Sequence, residues 1–370
     1  MNFSDLINHT INNMRNVTLI LDDGTKFRGQ SFGYEKPVAG EVVFNTAMSG
    51  YPENLTDPSY AGQILVLTYP LIGNYGVPTT EAGEYGLADF LESHHVQVSA
   101  LVCSAYSPAY SHWNAKESLE EWLKREEIPA ITGIDTRELA KVLREKGVMN
   151  GRIVFEDDQQ VETVAYETHN FVEKVACNEV IRYNEGANKK VVLLDCGVMH
   201  NIVRSLIRRG VEVIRVPWNY NFNELEFDGL FLSNGPGNPN TLGEAVENIR
   251  QFLAAEKVRP CLGVCLGNEL LAMAAGAKVN KLKYGHRSHN QPVRKVGTNS
   301  CLITTQNHGY AVDANTLPAD WEVSYINMND GSCEGIRHKQ NPWSAVQFQL
   351  EACTMPLDAD PMIDEFVKQL

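Results

Sequence analysis

The chain has 370 residues, of which 43% are hydrophobic and 21% charged, and its formal net charge is −14. This length predicts two or three domains with a sizeable core, and the acidic balance argues against a nucleic-acid-binding surface. No apolar stretch approaches the roughly 20 residues of a membrane helix, and the polar residues 1–16 predict an N-terminal extension without a secretory signal.

The eight cysteines are scattered along the chain and include no C-x-x-C pair. This spacing indicates neither a disulfide scaffold nor a cysteine zinc site, so we expect a protein of the reducing cytoplasm. Seven of the eight are expected to be inert core residues, and Cys265 is the exception.

The first half of the chain, residues 17–150, is predicted to form a β-rich domain that also contains helices. Apolar runs bounded by turn residues predict strands at 17–21, 40–44 and 64–70. Amphipathic spacing predicts helices at 118–124 and 136–146. Ser118 and Glu121 form a capping-box pattern at the start of the first helix, and Gly147 ends the second.

Residues 151–188 are polar and weakly periodic, which predicts a connecting segment with one helix. From residue 189 to residue 370, short apolar runs alternate with amphipathic segments. The predicted strands are 191–195, 212–216, 229–232 and 260–264, and the predicted helices are 200–209 and 244–255. Such alternation is typical of a parallel α/β sheet, in which ligands bind at the carboxyl ends of the strands.

Cys265 lies at the centre of the sequence Gly-Val-Cys-Leu-Gly, between an apolar strand-like run and an apolar helix-like run. This is the pattern of a nucleophile elbow, in which the flanking glycines let the backbone turn sharply. The N-terminus of the following helix favours the thiolate form. We therefore predict that Cys265 is a catalytic nucleophile.

Two further segments are candidates for the same site. The loop 233–239 contains two glycines and two prolines, which can aim backbone N–H groups at a developing oxyanion, although such a loop is by itself also typical of an ordinary turn. The apolar run 345–350 leads to Glu351, and by itself it is typical of a buried strand. A catalytic base is expected two residues before this acid, where the chain has Gln349.

Together these segments resemble the glutamine-hydrolysing small subunit of carbamoyl-phosphate synthase, whose second half is a class I (triad) glutamine amidotransferase domain. The elbow and the Ser-Asn-Gly-Pro-Gly loop are shared by many amidotransferases, whereas the first half is more specific. The resemblance extends over nearly the whole chain from residue 17. The other segments that carry it are 40–46, 49–51, 55–60, 134–137, 143–147, 306–310 and 364–366.

The resemblance implies an α/β protein in which a β-rich α+β domain precedes a flavodoxin-like α/β domain. It implies that Cys265 attacks the side-chain amide of L-glutamine and forms a γ-glutamyl thioester, with Glu351 as the orienting acid. By position, glutamine would contact Ser59, Gly235, Gly237, Leu266, Asn307, Gly309 and Tyr310.

The resemblance also implies a partner. Ammonia would pass through a channel to a separate large subunit, which uses ATP, bicarbonate and metal to make carbamoyl phosphate for arginine and pyrimidine synthesis. The present chain would need no metal and no cofactor, and would work within a hetero-oligomer.

Three departures from the family pattern fall on the expected glutaminase site. Glu269 replaces the substrate-binding glutamine and is expected to add a negative charge. Gln349 occupies the position of the catalytic histidine. The segment 288–290, Ser-His-Asn, replaces Gly-Gly-Asn.

These departures predict a loss of rate. An ordinary thiol is only a few per cent thiolate at neutral pH, and a glutamine side chain cannot exchange a proton there. Loss of a general acid–base group removes about 10²- to 10⁴-fold of rate. His308 is the first candidate for a replacement base, followed by His286 and His289, although a structural role is the expectation for each.

Three hypotheses remain open at this point. The chain is a working glutaminase subunit, or a non-catalytic scaffold subunit of an ammonia-dependent synthase, or a glutamine-sensing binding module. Turnover of glutamine, synthesis from ammonia in the presence of the large subunit, and stabilisation by glutamine distinguish them.

Overall fold

The computed structural model describes residues 14–156, 159–350 and 358–370. In these ranges the helices are Tyr51–Thr56 (α1), Leu119–Arg125 (α2), Thr136–Lys146 (α3), Val172–Val175 (α4), His200–Arg208 (α5), Gly243–Leu253 (α6), Leu266–Ala275 (α7) and Pro361–Gln369 (α8). The strands of the N-terminal half are Asn16–Leu21 (β1), Lys26–Ser31 (β2), Val38–Asn45 (β3), Gln63–Leu67 (β4), Ala100–Cys103 (β5), Ala130–Thr132 (β6) and Met149–Val154 (β7). The later strands are Ile181–Tyr183 (β8), Lys189–Asp195 (β9), Val211–Pro217 (β10), Gly229–Leu232 (β11), Cys261–Val264 (β12), Val279–Lys295 (β13), Cys301–Val312 (β14), Trp321–Asn327 (β15), Cys333–His338 (β16) and Trp343–Val346 (β17).

The N-terminal half is built on a closed barrel with the strand order β1-β2-β6-β5-β4-β3-β7. The run from β3 through β4 and β5 to β6 is parallel, and the other neighbours are antiparallel. β7 pairs with both β1 and β3 and so closes the barrel. The predicted domain boundary at residue 150 lies within this strand.

Apolar residues on both faces of the barrel strands explain why helices cover it. In β4, Leu65 and Leu67 pack in a cluster with Trp122 of α2, whereas Ile64 and Val66 pack in a second cluster on the other side. That second cluster includes Leu139 and Leu143 of α3. Because side chains alternate across a strand, an unbroken apolar run is buried on both faces.

The C-terminal half contains a ten-stranded sheet in the order β14-β13-β15-β16-β17-β12-β11-β9-β10-β8. The five central strands are parallel, and their order β10-β9-β11-β12-β17 is 2-1-3-4-5 when they are numbered along the chain. That order is the flavodoxin-like arrangement, so the predicted fold class is confirmed.

Helices cover both faces of this sheet. In β9, Val191 and Leu193 face the cluster formed with α5 and α8, and Val192 and Leu194 face the cluster formed with α6 and α7. The continuous apolar run that predicted a strand buried on both faces is therefore confirmed.

The residues that cap α2 and α3 are also those that the sequence predicts. The side chain of Ser118 accepts a hydrogen bond from the Glu121 N–H at 3.2 Å, and Glu121 accepts one from the Ser118 N–H at 3.0 Å. Gly147 caps α3 with a φ of 96°. The connecting segment contains the short helix α4, but it also contributes β8, an antiparallel edge strand that periodicity did not predict because it is only three residues long.

No helix in the described ranges has the length and apolar character needed to cross a membrane.

Candidate active site

Cys265 lies at the sharp turn between β12 and α7, at the carboxyl end of the parallel sheet. Its φ of 55° and ψ of −110° are strained for a residue with a Cβ atom. The turn is held by a hydrogen bond from the Cys265 N–H to the Val346 carbonyl oxygen, 2.8 Å long. This geometry is that of a nucleophile elbow, as the sequence predicts.

The two flanking glycines are required by close backbone approaches. A Cβ atom on Gly267 would lie 2.3 Å from the Leu232 carbonyl oxygen, and one on Gly263 would lie 2.7 Å from the Gly267 carbonyl oxygen. The helix α7 therefore packs directly against β11 and β12, which fixes the position of the thiol.

The Cys265 thiol is buried, and the structure favours its neutral form. Its sulfur donates to the Asn307 carbonyl oxygen at 3.5 Å, which requires the proton to be present. Burial raises the pKa of Cys265 well above its ordinary value, and the nearby Glu269 and Asp57 raise it further. The Leu266 N–H lowers this pKa, but not enough to offset the other effects.

One cleft brings together most of the residues that sequence analysis assigned to glutamine. It is lined by Ser59, Gly235, Gly237, Cys265, Glu269, Asn307, Gly309 and Tyr310. Leu266, the remaining one, follows Cys265 in the chain, and its N–H interacts with the thiol. The cleft is narrow, with a free volume of ≈ 20 Å³.

The loop 233–239 approaches the elbow from the neighbouring strand. Gly235 packs so tightly that an added Cβ atom would lie 2.0 Å from the Cys196 carbonyl oxygen. The Gly237 N–H donates to the Tyr166 hydroxyl at 3.2 Å. Asn234 donates to the Ser59 hydroxyl at 3.0 Å and thereby ties this loop to the N-terminal half.

Gln349 occupies the position where the family resemblance places histidine. Its side-chain amide donates to the Asp57 carboxyl at 3.3 Å, and Asn307 donates to the same oxygen at 2.8 Å. Burial raises the pKa of Asp57, although the hydrogen bonds from Asn307, Ser59 and Gln349 act in the opposite direction. At the position where the family resemblance places a histidine ring, this chain therefore has the Gln349 amide, hydrogen-bonded to the buried carboxyl group of Asp57.

Glu269 is buried and differs from the charged group that its sequence position predicts. Its carboxyl accepts a hydrogen bond from Gln347 at 2.8 Å, and Gln347 in turn accepts one from Asn268 at 2.7 Å. Burial raises the pKa of Glu269 to about 8. At pH 7 most molecules therefore carry a neutral carboxylic acid here, which can donate and accept a hydrogen bond as a glutamine side chain does.

Two of the three histidines considered as replacement bases, His308 and His286, have ring nitrogens in contact with other polar groups, and burial lowers the pKa of the third, His289. Both ring nitrogens of His308 lie against other groups, since Nδ1 is 2.7 Å from the Tyr310 carbonyl oxygen and Nε2 is 3.0 Å from Gln306 Oε1. His286 lies against Asp330 at 2.9 Å. Burial lowers the pKa of His289 to about 4, and burial also lowers that of His308.

Some residues in or next to the cleft were not identified from the sequence. Asp57 stands within the segment 55–60 that carries the family resemblance, but nothing in a single sequence shows that it meets Gln349. Arg287 and Lys281 line the cleft, and the Lys281 ammonium lies 2.8 Å from the Glu41 carboxyl. The predicted orienting acid, Glu351, lies outside the described residues.

The sheet order, the cysteine elbow and the adjoining Gly-Pro-Gly loop define a class I glutamine amidotransferase domain. The family model of that domain matches residues 192–369. A second model, for the CPSase domain of the carbamoyl-phosphate synthase small chain, matches residues 19–153.

Comparison with curated proteins gives the same assignment. The chain is 48% identical to the carbamoyl phosphate synthase arginine-specific small chain of Saccharomyces cerevisiae, over 95% of this chain and 87% of that protein. The chain belongs to the carbamoyl-phosphate synthase small chain family.

Other relatives are much longer proteins. The chain is 47% identical to the multifunctional protein CAD of Squalus acanthias, and it covers 16% of that protein. It is 46% identical to the human mitochondrial carbamoyl-phosphate synthase [ammonia], and covers 23% of it. These two alignments include 95% and 94% of this chain, which therefore spans less than a quarter of either relative.

Among solved structures, the chain is similar to a GMP synthase subunit of Thermoplasma acidophilum. The match has 25% identity and a TM-score of 0.43, and it covers 49% of this chain and 92% of that one.

Proposed function

We propose that this chain is the small subunit of a carbamoyl-phosphate synthase that takes its ammonia mainly from solution. A separate large subunit would bind ATP, bicarbonate and metal and would make carbamoyl phosphate for arginine and pyrimidine synthesis. The observation that carries this proposal is the side chain of Gln349, which donates to Asp57 where a catalytic imidazole is expected.

The chemistry of glutamine hydrolysis explains why that side chain matters. The sulfur must lose its proton and attack the amide carbon, the carbon–nitrogen bond must break, and ammonia must gain a proton as it leaves. Water then hydrolyses the thioester. An imidazole performs both proton transfers in such reactions, whereas an amide can perform neither near neutral pH.

The state of the thiol supports the same conclusion. Cys265 donates to a carbonyl oxygen, and burial with two neighbouring carboxyl groups holds its pKa above the ordinary value. Attack by a neutral thiol is slow because the thiolate is the nucleophile. The cleft can therefore keep its shape and still hydrolyse glutamine slowly.

Glutamine-dependent synthesis is a second candidate, and one observation favours it. Asp57 and Glu269 are buried carboxyl groups that raise the pKa of Cys265, and burial raises the pKa of each of them. A carboxylate becomes a stronger base as its pKa rises. In this case Asp57 would take the proton from Cys265 in place of the missing imidazole.

The two candidates are separated by measuring carbamoyl phosphate formed by the complex of this chain with a large subunit. With ammonia as the nitrogen donor, we expect full synthesis, and Cys265→Ser should leave it unchanged. With glutamine, we expect synthesis at least about 10²-fold slower. Rapid glutamine-dependent synthesis that Cys265→Ser and Asp57→Asn both abolish would establish the second candidate instead.

The same preparation tests whether the cleft is a glutamine-sensing module. A sensor predicts that glutamine raises the unfolding temperature in a saturable way without release of ammonia. The neutral Glu269 removes the charge that would oppose such binding at pH 7. Absence of stabilisation by glutamine, measured up to millimolar concentrations, would exclude the sensing role.

A further inference from the structure

A buried cluster of two imidazoles and one carboxylate lies behind the cleft, where β13, β14 and β16 meet. His286 belongs to β13, His308 to β14 and Glu334 to β16. One potential ligand atom from each residue lies within 4.8 Å of the other two, and all three residues are buried. From this arrangement we propose that His286, His308 and Glu334 bind a divalent transition-metal ion of the zinc type.

The distances between the facing atoms match a shared ligand sphere. His286 Nδ1 lies 3.2 Å from His308 Nε2 and 3.3 Å from Glu334 Oε1. Two donor atoms at about 2.0–2.1 Å from one tetrahedral zinc ion are separated by about 3.3 Å. Two of the three edges of the cluster therefore match the spacing of zinc ligands, and the third, between His308 and Glu334, is no longer than 4.8 Å.

The outer nitrogens of both imidazoles have the partners that orient metal-binding histidines. His286 Nε2 lies 2.9 Å from the Asp330 carboxyl, and His308 Nδ1 lies 2.7 Å from the Tyr310 carbonyl oxygen. Both partners are acceptors, and an imidazole that donates its outer N–H to such a partner presents its inner nitrogen to a metal ion. The inner nitrogens of the two rings, His286 Nδ1 and His308 Nε2, face each other at 3.2 Å.

A fourth acceptor, Gln306 Oε1, lies beside His308 Nε2. Gln306 Oε1 is 3.0 Å from His308 Nε2, and the Gln306 amide nitrogen donates to Glu334 Oε2 at 2.9 Å. Asn327 donates to Glu334 Oε1 at 2.8 Å and holds that carboxyl in place. Two imidazole nitrogens and two oxygens form a ligand set suited to zinc.

An entry route is present on the outer side. A cavity of ≈ 430 Å³ is lined by His286 and Asp330, together with Gly285, Gln291 and Asn329. On the inner side, His308 lines the glutamine cleft. Asn307, which lies between Gln306 and His308 in β14, accepts from the Cys265 thiol. A bound ion would therefore brace the strand that contacts the nucleophile.

The rival explanation is a proton rather than a metal ion. If His286 carried a second proton, its Nδ1–H could donate either to Glu334 at 3.3 Å or to His308 at 3.2 Å. A single proton cannot serve both acceptors well, and the close contact between Gln306 Oε1 and His308 Nε2 would persist. A metal ion bound between the three side chains would instead contact both inner nitrogens and the Glu334 carboxyl.

The test is metal analysis of the full chain, purified without a chelator and with any affinity tag removed. We expect about one zinc ion per chain by mass spectrometry. Dialysis against EDTA should lower the unfolding temperature, and one equivalent of Zn²⁺ should restore it. Co²⁺ added to the stripped protein should give the visible absorption of a four-coordinate nitrogen–oxygen site.

Variants locate the ion. Asp330→Asn removes the partner of His286 and should weaken Co²⁺ binding by about 10- to 100-fold. Glu334→Gln should weaken it at least as much. His289→Asn, three positions from His286 on the same strand, is the matched control and should leave the affinity unchanged.

Two results would overturn the proposal. The first is a wild-type chain that contains no zinc, gives no Co²⁺ absorption and unfolds at the same temperature with and without EDTA. The second is Co²⁺ binding that is unaffected by Asp330→Asn and Glu334→Gln but is lost in His289→Asn. Because the EDTA comparison uses the wild-type chain, it decides the question even where a variant fails to fold.

Discussion

Substituting histidine for Gln349 tests whether the missing imidazole limits the rate of glutamine hydrolysis. The Gln349 side chain lies 3.3 Å from the Asp57 carboxyl, and its backbone N–H donates to the Thr305 carbonyl oxygen at 2.9 Å. An imidazole in that place would have a buried carboxyl partner of the kind that orients a catalytic histidine. We therefore expect Gln349→His to increase glutamine hydrolysis.

The size of the increase follows from the thiol. Burial and two neighbouring carboxyl groups raise the pKa of Cys265 above its ordinary value. A thiol with a pKa above about 8.5 is less than about 3% thiolate at pH 7, so pairing with an imidazolium can raise the thiolate fraction by at least about 30-fold. Protonation of the departing ammonia adds to this gain, and we expect about 10²-fold in total, within the range for general acid–base catalysis.

The assay is release of ammonia from glutamine at pH 7, measured for the chain together with the proposed large subunit. Gln349→Asn is the matched control, because asparagine also offers an amide and no imidazole. The Gln349→His variant with Cys265→Ser should lose the gained activity. A folded Gln349→His variant no faster than Gln349→Asn would refute this reasoning, as would a wild-type chain whose Cys265-dependent rate already equals that of Gln349→His.

Three other predictions concern stability. Between its ordinary value of 4.5 and its raised pKa of about 8, Glu269 holds a proton in the folded chain that it loses on unfolding. The unfolding free energy of the wild-type chain, relative to that of Glu269→Gln, should therefore fall as the pH rises through this window, by about 1.4 kcal/mol per pH unit and at most about 5 kcal/mol. Urea unfolding of both chains at pH 5, 7 and 9 measures this difference. The same difference in unfolding free energy at all three pH values would contradict the prediction. Gly267→Ala places a Cβ atom 2.3 Å from the Leu232 carbonyl oxygen and should lower the unfolding free energy, measured in urea, by about 1–3 kcal/mol. Gly243→Ala, whose Cβ atom would have no neighbour within 4 Å, is the control and should leave the unfolding free energy unchanged. Equal effects of the two substitutions would show that the backbone around Gly267 can move to accept the Cβ atom. Ser118→Ala removes a capping box and should lower the unfolding free energy by about 1 kcal/mol, a loss that Ser118→Thr should largely avoid.

Local sequence patterns were sufficient to predict the fold of the second half and the sharp turn that carries Cys265. Apolar runs such as 191–195 and 260–264 are buried on both faces in the structure, and a run of that kind has few alternatives to a central parallel strand. The turn at Cys265 requires glycine at positions 263 and 267, because neighbouring backbone atoms lie too close to leave space for a Cβ atom there. Short-range signals of this sort are fully present in one sequence.

The chemical environment of Cys265 could not be predicted from local sequence patterns, because it depends on contacts between distant segments. The sequence predicts a charged Glu269, but burial raises its pKa to about 8 despite the hydrogen bond from Gln347, which favours the neutral acid at pH 7. The sequence likewise does not predict the contact between Asp57 and Gln349, because these residues are 292 positions apart along the chain. Protonation depends on desolvation, and desolvation depends on which distant segments pack together.

The cluster of His286, His308 and Glu334 shows the same limit. Its members belong to three strands of one sheet, and their spacing along the chain resembles no metal-binding motif. The antiparallel register that pairs His286 with His308 creates the cluster. Local pattern therefore determines which elements form and where the sharp turn lies, whereas strand pairing and burial determine which side chains meet and which protons they hold.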